Sequence, residues 1–180
     1  MNKLKHFSFL MMLCASLGFI TSCNNDDDGD GAEIRDAIVS WSLTGACTQT
    51  ENITFVDNKP TSSVLNVCMY NGTNQSFSVV FTELSSAWTW GWAATGVSQL
   101  ITGTYTLELG GGYGSTCAAG FESVSSELNI TSVSSAEDVG NPGDKYITGT
   151  ITIVFENGDT PPATFTLQGS FTDLYIPYSN

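Results

Sequence analysis

The chain offers four chemically capable groups of side chains. The first is the thiol of Cys23, which follows Ile20-Thr21-Ser22 at the end of an apolar run. A thiol is the strongest nucleophile among the side chains here, and behind small residues it is placed to accept an acyl-glycerol group before a peptidase cuts ahead of it. The second is the alternation Asp26, Asp28, Asp30, Gly31, which opens like a calcium loop. The third is the carboxylates Glu83, Glu108, Glu122 and Glu127, in or beside strand patterns. Glycoside hydrolysis would need two of them held about 5 to 10 Å apart. The fourth is Trp88, Trp90 and Trp92, alternating with Thr89 and Gly91, so that a strand would carry three indoles on one face.

The last three groups each have a plainer reading. A calcium loop needs a bidentate Glu at its twelfth position, which is Ala37, and no helix signal precedes Asp26. Nothing in the sequence pairs the four glutamates, and charges on strand faces and edges ordinarily discourage aggregation. The tryptophan stripe is either an exposed platform for sugar rings or other planar ligands, or a core face. The second reading is favoured by Gly103, Gly149 and Gly169, at inward positions of other strand patterns, which would leave room for large rings. The threonine rows on the last two strand patterns read as ordinary solvent-facing strand residues.

Positive residues Lys3 and Lys5, then fourteen mostly apolar residues from Phe7 to Ile20, make residues 1–22 an export signal. A spanning helix would need about 20 apolar residues. Cys14 lies inside the apolar run behind bulky Leu13, so Cys23 is the expected lipidation site, with an ordinary secretion cut near Ser22 as the alternative. Residues 20–23 resemble the lipobox of bacterial lipoproteins, with Ile20 where Leu is usual. The tract Asn24-Asn25-Asp26-Asp27-Asp28-Gly29-Asp30-Gly31 has no apolar side chain to bury, so residues 23–32 read as a flexible tether. A lipid cysteine followed by such a run resembles the surface-exposed lipoproteins of Bacteroidota. That resemblance implies display on the outer face of the outer membrane. A solvated spacer facing the periplasm is the alternative.

Without residues 1–22 the chain keeps all 18 carboxylates but only Arg35, Lys59 and Lys145, a formal charge of −15. Such a chain repels polyanions, so nucleic acid is not an expected partner. The only histidine, His6, departs with the signal. Nucleophile systems built on histidine and histidine-ligated zinc therefore have no residue to use.

These groups must be positioned by strands. From about Glu33 onward apolar residues recur at period two, punctuated by Gly, Asn, Asp and Pro, with no helical periodicity. Strand patterns run near 34–43, 52–56, 62–70, 75–84, 87–94, 100–109, 120–132, 146–156 and 163–176. Asn71-Gly72 and Asn157-Gly158 predict type I′ hairpin turns. The expected fold is all-β, an antiparallel two-sheet β-sandwich of about nine strands over residues 33–180. A closed, lipocalin-like barrel is the alternative. Ile147, Gly149, Ile151, Ile153 and Phe155 should point one way, and Phe165, Leu167, Gly169 and Phe171 should repeat the pattern. The echo between residues 101–106 and 147–152 would mark either a duplicated unit or a coincidence of composition.

Cys47, Cys68 and Cys117 cannot all pair. Cys47 with Cys117 is preferred because both sit in Gly/Thr-rich turns, and Cys47 with Cys68 is the alternative. The functional expectation is an outer-membrane lipoprotein with a non-catalytic binding, adhesive or structural β domain. Its partners would be the membrane, through the lipid anchor, and a glycan or surface protein. A carbohydrate-binding module using the tryptophan stripe and a carboxylate-based glycosidase are the alternatives. Neither a cofactor nor a metal is expected.

Overall fold

Alternating apolar and polar side chains commit this chain to strands that each bury one face. The structure, a computed structural model, describes residues 33–85, 88–106 and 111–179. Residues 1–32, with the export signal, Cys23 and the acidic tract, lie outside the described residues, as does Glu108. The strands are β1 (Ala37–Gly45), β2 (Gln49–Phe55), β3 (Val64–Asn71), β4 (Ser76–Glu83), β5 (Thr89–Ala94), β6 (Gly103–Thr106), β7 (Gly111–Gly114), β8 (Phe121–Ser135), β9 (Lys145–Asn157), β10 (Thr164–Ile176) and β11 (Tyr178–Ser179). They form a six-stranded sheet in the order β2-β1-β10-β9-β8-β6 and a five-stranded sheet in the order β11-β3-β4-β5-β7. Both sheets are open, so the fold is a β-sandwich and not a closed barrel. Pairing is antiparallel throughout except between β11 and β3.

The core fills the space between the sheets. Val39, Trp41 and Leu43 of β1, Ile151, Ile153 and Phe155 of β9, and Phe165, Leu167 and Phe171 of β10 face Phe77, Val79 and Phe81 of β4 and Trp90 and Trp92 of β5. The alternation on β9 and β10 runs as the sequence predicts up to Phe171, then changes phase. A bulge at Thr172-Asp173, where Asp173 takes a φ of 50°, turns Leu174 and Ile176 inward instead of Asp173 and Tyr175. Two further irregularities in β8 work the same way, and the first leaves Val124 54% exposed.

Among the described residues there are eleven strands rather than nine, because Gly111–Gly114 pairs with β5 and Tyr178–Ser179 adds β11. Tyr113 alone supplies the buried side chain of β7. Neither predicted hairpin turn forms as a two-residue loop. Asn71 pairs with Ser76 across a four-residue loop in which Gln75, not Gly72, takes positive φ. Asn157 instead uses its side chain, Oδ1 accepting from the amides of Asp159 (3.3 Å) and Ala163 (2.8 Å), so that a longer loop closes around it. The echo is no structural repeat, since residues 103–106 form a short edge strand while 147–152 lie in the middle of β9.

Cys47 and Cys117 form the disulfide, tying the β1–β2 turn to the β7–β8 connection and so joining the two sheets. The loop it closes spans 70 residues. Cys68 on β3 is free and packs against the core. Its residue is partly exposed, but burial of the sulfur pushes the thiol well above its ordinary range, which makes it inert as a nucleophile.

Candidate functional site

The tryptophan stripe is core, the reading favoured from the sequence, so the alternative of Trp88, Trp90 and Trp92 as an exposed ligand platform is set aside. All three rings are at most 3% exposed. Trp90 packs on Phe81 at 4.8 Å between centroids, Trp92 stacks on Phe171 at 5.3 Å, and Trp88 meets the edge of Trp41 at 5.1 Å. The reason is the space the sequence reserved for them. A Cβ built on Gly169 would lie 3.3 Å from the tip of the Trp90 ring, so β10 is hollowed where β5 is bulky. Gly149 does the same for Phe171, while Gly103 faces open space and takes no part. The indole nitrogens of Trp41, Trp90 and Trp92 are buried without a hydrogen-bond partner. Leaving such a donor unpaired costs about 1–3 kcal/mol, and burial of the large rings offsets it.

Of the four candidate carboxylates, the three that the structure describes do not converge. Glu122 and Glu127 stand on β8 at the far side of the six-stranded sheet, opposite Glu156 and Thr152 of β9. Glu83 ends β4 on the other sheet. It lines an open cleft of about 550 Å³ along β2, walled also by the segment entering β3 and by Trp88.

A second carboxylate, Glu51, shares this cleft. It stands on the inward face of β2 in register with Trp41, alongside Gln49 and Ile53. A relay of hydrogen bonds aims it. The Tyr113 hydroxyl donates to Gln49 Oε1 at 2.8 Å, and Gln49 Nε2 donates to Glu51 Oε1 at 3.2 Å. Burial, with a smaller contribution from the Glu51 charge, pushes the Tyr113 hydroxyl above its ordinary value against the opposing pull of Ser115. It therefore stays a donor through the neutral range. On the opposite wall Ser85 donates its hydroxyl to Glu83 Oε2. Thr61 Oγ1 accepts from the amides of Val64 (2.8 Å) and Ser63 (3.2 Å), which pins the turn between these walls. The lining combines two carboxylates with hydroxyls and carboxamides and contains no basic side chain. Its chemistry suits recognition of a cationic or multiply hydrogen-bonding ligand.

The one charged side chain fully buried among the described residues, Asp144, is committed to structure. Its Oδ1 accepts from the Tyr178 amide at 2.7 Å. Its Oδ2 accepts from the Asn141 amide at 2.6 Å and from the Tyr175 hydroxyl. These bonds clamp the loop after β8 to the segment that crosses from β10 to β11. At the same end Asn58, with a φ of 53°, donates to the carbonyls of Arg35 (2.8 Å) and Asp173 (2.9 Å) and accepts from the Tyr175 amide (2.9 Å). Arg35 lies over the Tyr146 ring and pairs with Asp173 at 3.2 Å.

Among the described residues no group of three or more Cys, Asp, Glu or His side chains is arranged to hold a metal ion. Of the sequence candidates among the described residues, then, Glu83 and Trp88 line the cleft, and their neighbour Glu51 had no distinguishing motif. No protein-family model, curated protein or solved structure matches this chain.

Proposed function

We propose that this chain is an outer-membrane lipoprotein, acylated at Cys23 and displayed on the cell surface, whose β-sandwich works by non-covalent contact with a glycan or surface protein. The observation that carries the reading is the order Ile20-Thr21-Ser22-Cys23, then an acidic tract, then a domain whose first strand begins at Ala37. Arg35 is already fixed there by Tyr146 and Asp173, so any tether must end before it. A contact role is supported by the chemistry of the surface. Polar side chains of the cleft along β2 are held in hydrogen-bonded pairs suited to recognition, whereas the buried carboxylate Asp144 is saturated by donors from its own fold. The carbohydrate reading through Trp88, Trp90 and Trp92 is not retained, because those rings are packed between the sheets.

The test is metabolic labelling with radioactive palmitate and mass spectrometry of the mature amino terminus. Label on the wild type, lost in Cys23→Ala, together with cleavage of the domain by protease added to intact cells, is the expected result. A mature chain that begins elsewhere with a free amino group would overturn the anchor. Protection of the domain in intact cells would move it to the periplasmic face.

A further inference from the structure

The 550 Å³ cleft runs along an open strand edge. Among the described residues β2 borders the six-stranded sheet and pairs with β1 alone. On the other wall the start of β3 is already capped, since Val64 donates its amide to Thr61 Oγ1 at 2.8 Å and accepts from the Thr61 amide at 2.9 Å, so β2 carries the open edge. Such edges present rows of N–H and C=O groups that readily accept another strand. Residues 49–54 of β2 offer about 20 Å of edge at the usual strand rise. A strand added there would direct alternate side chains into the cleft, as Gln49, Glu51 and Ile53 of β2 already are.

Charge selects the occupant. The charged groups lining the cleft are Glu51 and Glu83. Among the described residues all three basic side chains pair with carboxylates elsewhere: Arg35 with Asp173, Lys59 with Asp57 and Lys145 with Glu137. We propose that the cleft takes an extended segment of a partner polypeptide as an added strand on β2, with lysine or arginine side chains directed at Glu51 and Glu83. The proposal deepens the contact role above and rests on it. The competing account is that Glu51 is an inward-pointing guard charge that keeps β2 from pairing with anything.

The test uses the mature protein purified from the cells that produce it, and two fluorescein-labelled octapeptides of alternating Lys-Thr and alternating Glu-Thr. By anisotropy the Lys peptide should bind saturably, and more weakly as salt rises from about 50 to about 300 mM. The Glu peptide should not bind. Glu51→Gln with Glu83→Gln should weaken the Lys peptide about tenfold, and Glu51→Lys with Glu83→Lys should transfer binding to the Glu peptide. Hydrogen exchange should slow in residues 49–54 when the Lys peptide is bound. Equal binding of both peptides, indifference to the double variants, or no protection along β2 would overturn the proposal. So would a wild type that binds neither peptide while Glu51→Gln self-associates in sedimentation, the result expected of a guard charge. Failure of palmitate labelling leaves these readouts untouched, so the anchor and the groove fail separately.

Discussion

Gly169 and Trp90 should behave as one packing unit. A methyl group at position 169 would sit 3.1 Å from Ile151 Cγ2 and 3.3 Å from the far edge of the Trp90 ring, closer than carbon atoms normally pack. Neither neighbour can retreat freely, because Trp90 is 0% exposed and wedged against Phe81, Trp92 and Trp41. Overpacking of this kind costs about 1–3 kcal/mol, and relief of glycine's backbone freedom returns about 0.5–1 kcal/mol. Gly169→Ala should therefore be destabilising by about 1 kcal/mol, a fall in Tm of about 2–4 °C for a domain of this size. Trp90→Phe removes the atoms that clash and leaves a void, costing about 2 kcal/mol.

The two changes together should cost less than their sum by about 1 kcal/mol, since the new methyl group enters the space the smaller ring vacates. Urea unfolding followed by circular dichroism on the wild type, both single variants and the double variant measures the coupling. Additivity within about 0.5 kcal/mol would refute the reasoning. It would mean that the β5 rings do not meet β10, and the platform reading of the stripe would return.

All four tryptophans are buried, so acrylamide should quench native fluorescence weakly and quench fully only after unfolding; strong native quenching would contradict the core assignment. Replacing both Cys47 and Cys117 by Ala opens a 70-residue loop, which by chain entropy should cost about 4 kcal/mol in urea titrations; a loss under about 1 kcal/mol would refute that estimate. Burial is the leading cause that raises the hydroxyls of Tyr70, Tyr113, Tyr146 and Tyr175 above their ordinary value, with Asp144 adding to it at Tyr175. The folded state thus keeps protons that the unfolded chain releases near pH 10. Stability should be intact below about pH 10 and fall above it, with tyrosinate absorbance rising together with unfolding; a urea midpoint unchanged to about pH 11.5 would contradict the burial. Asp144→Asn turns an amide group toward donors from Asn141 and Tyr175 and should cost about 2–4 kcal/mol by the same titration; a neutral variant would show that the clamp is dispensable.

Period-two alternation was enough to read the sandwich, because each strand buries one face and the pattern needs no partner to be visible. The inward sets on β9 and β10 follow directly from Ile147 through Phe155 and from Phe165 through Phe171. What alternation alone does not reveal is a change of phase. The bulge at Thr172-Asp173 has no Gly or Pro to announce it, and it is held by contacts from distant sequence. Thr148 Oγ1 accepts the Asp173 amide at 3.1 Å, and Asn58 binds the Asp173 carbonyl. The two Asn-Gly pairs misled for a related reason. Their local preference for a tight turn yields where the flanking strands end further apart and Asn157 can cap a longer loop with its side chain.

The cleft was harder to read because its members gain meaning only from an edge. A strand pattern begun at residue 52 puts Glu51 in a turn, where a carboxylate is unremarkable. Once β2 is seen to start at Gln49, residues 49, 51, 53 and 55 fall on the inward face, and a charge among them demands a reason. In the middle of a sheet that position would desolvate the carboxylate at prohibitive cost. At the border the same side chain reaches water between the sheets, oriented by Gln49 and Tyr113. Inward polarity on a border strand is therefore what the proposed strand addition on β2 would use, and Glu51 and Glu83 give that edge its negative sign.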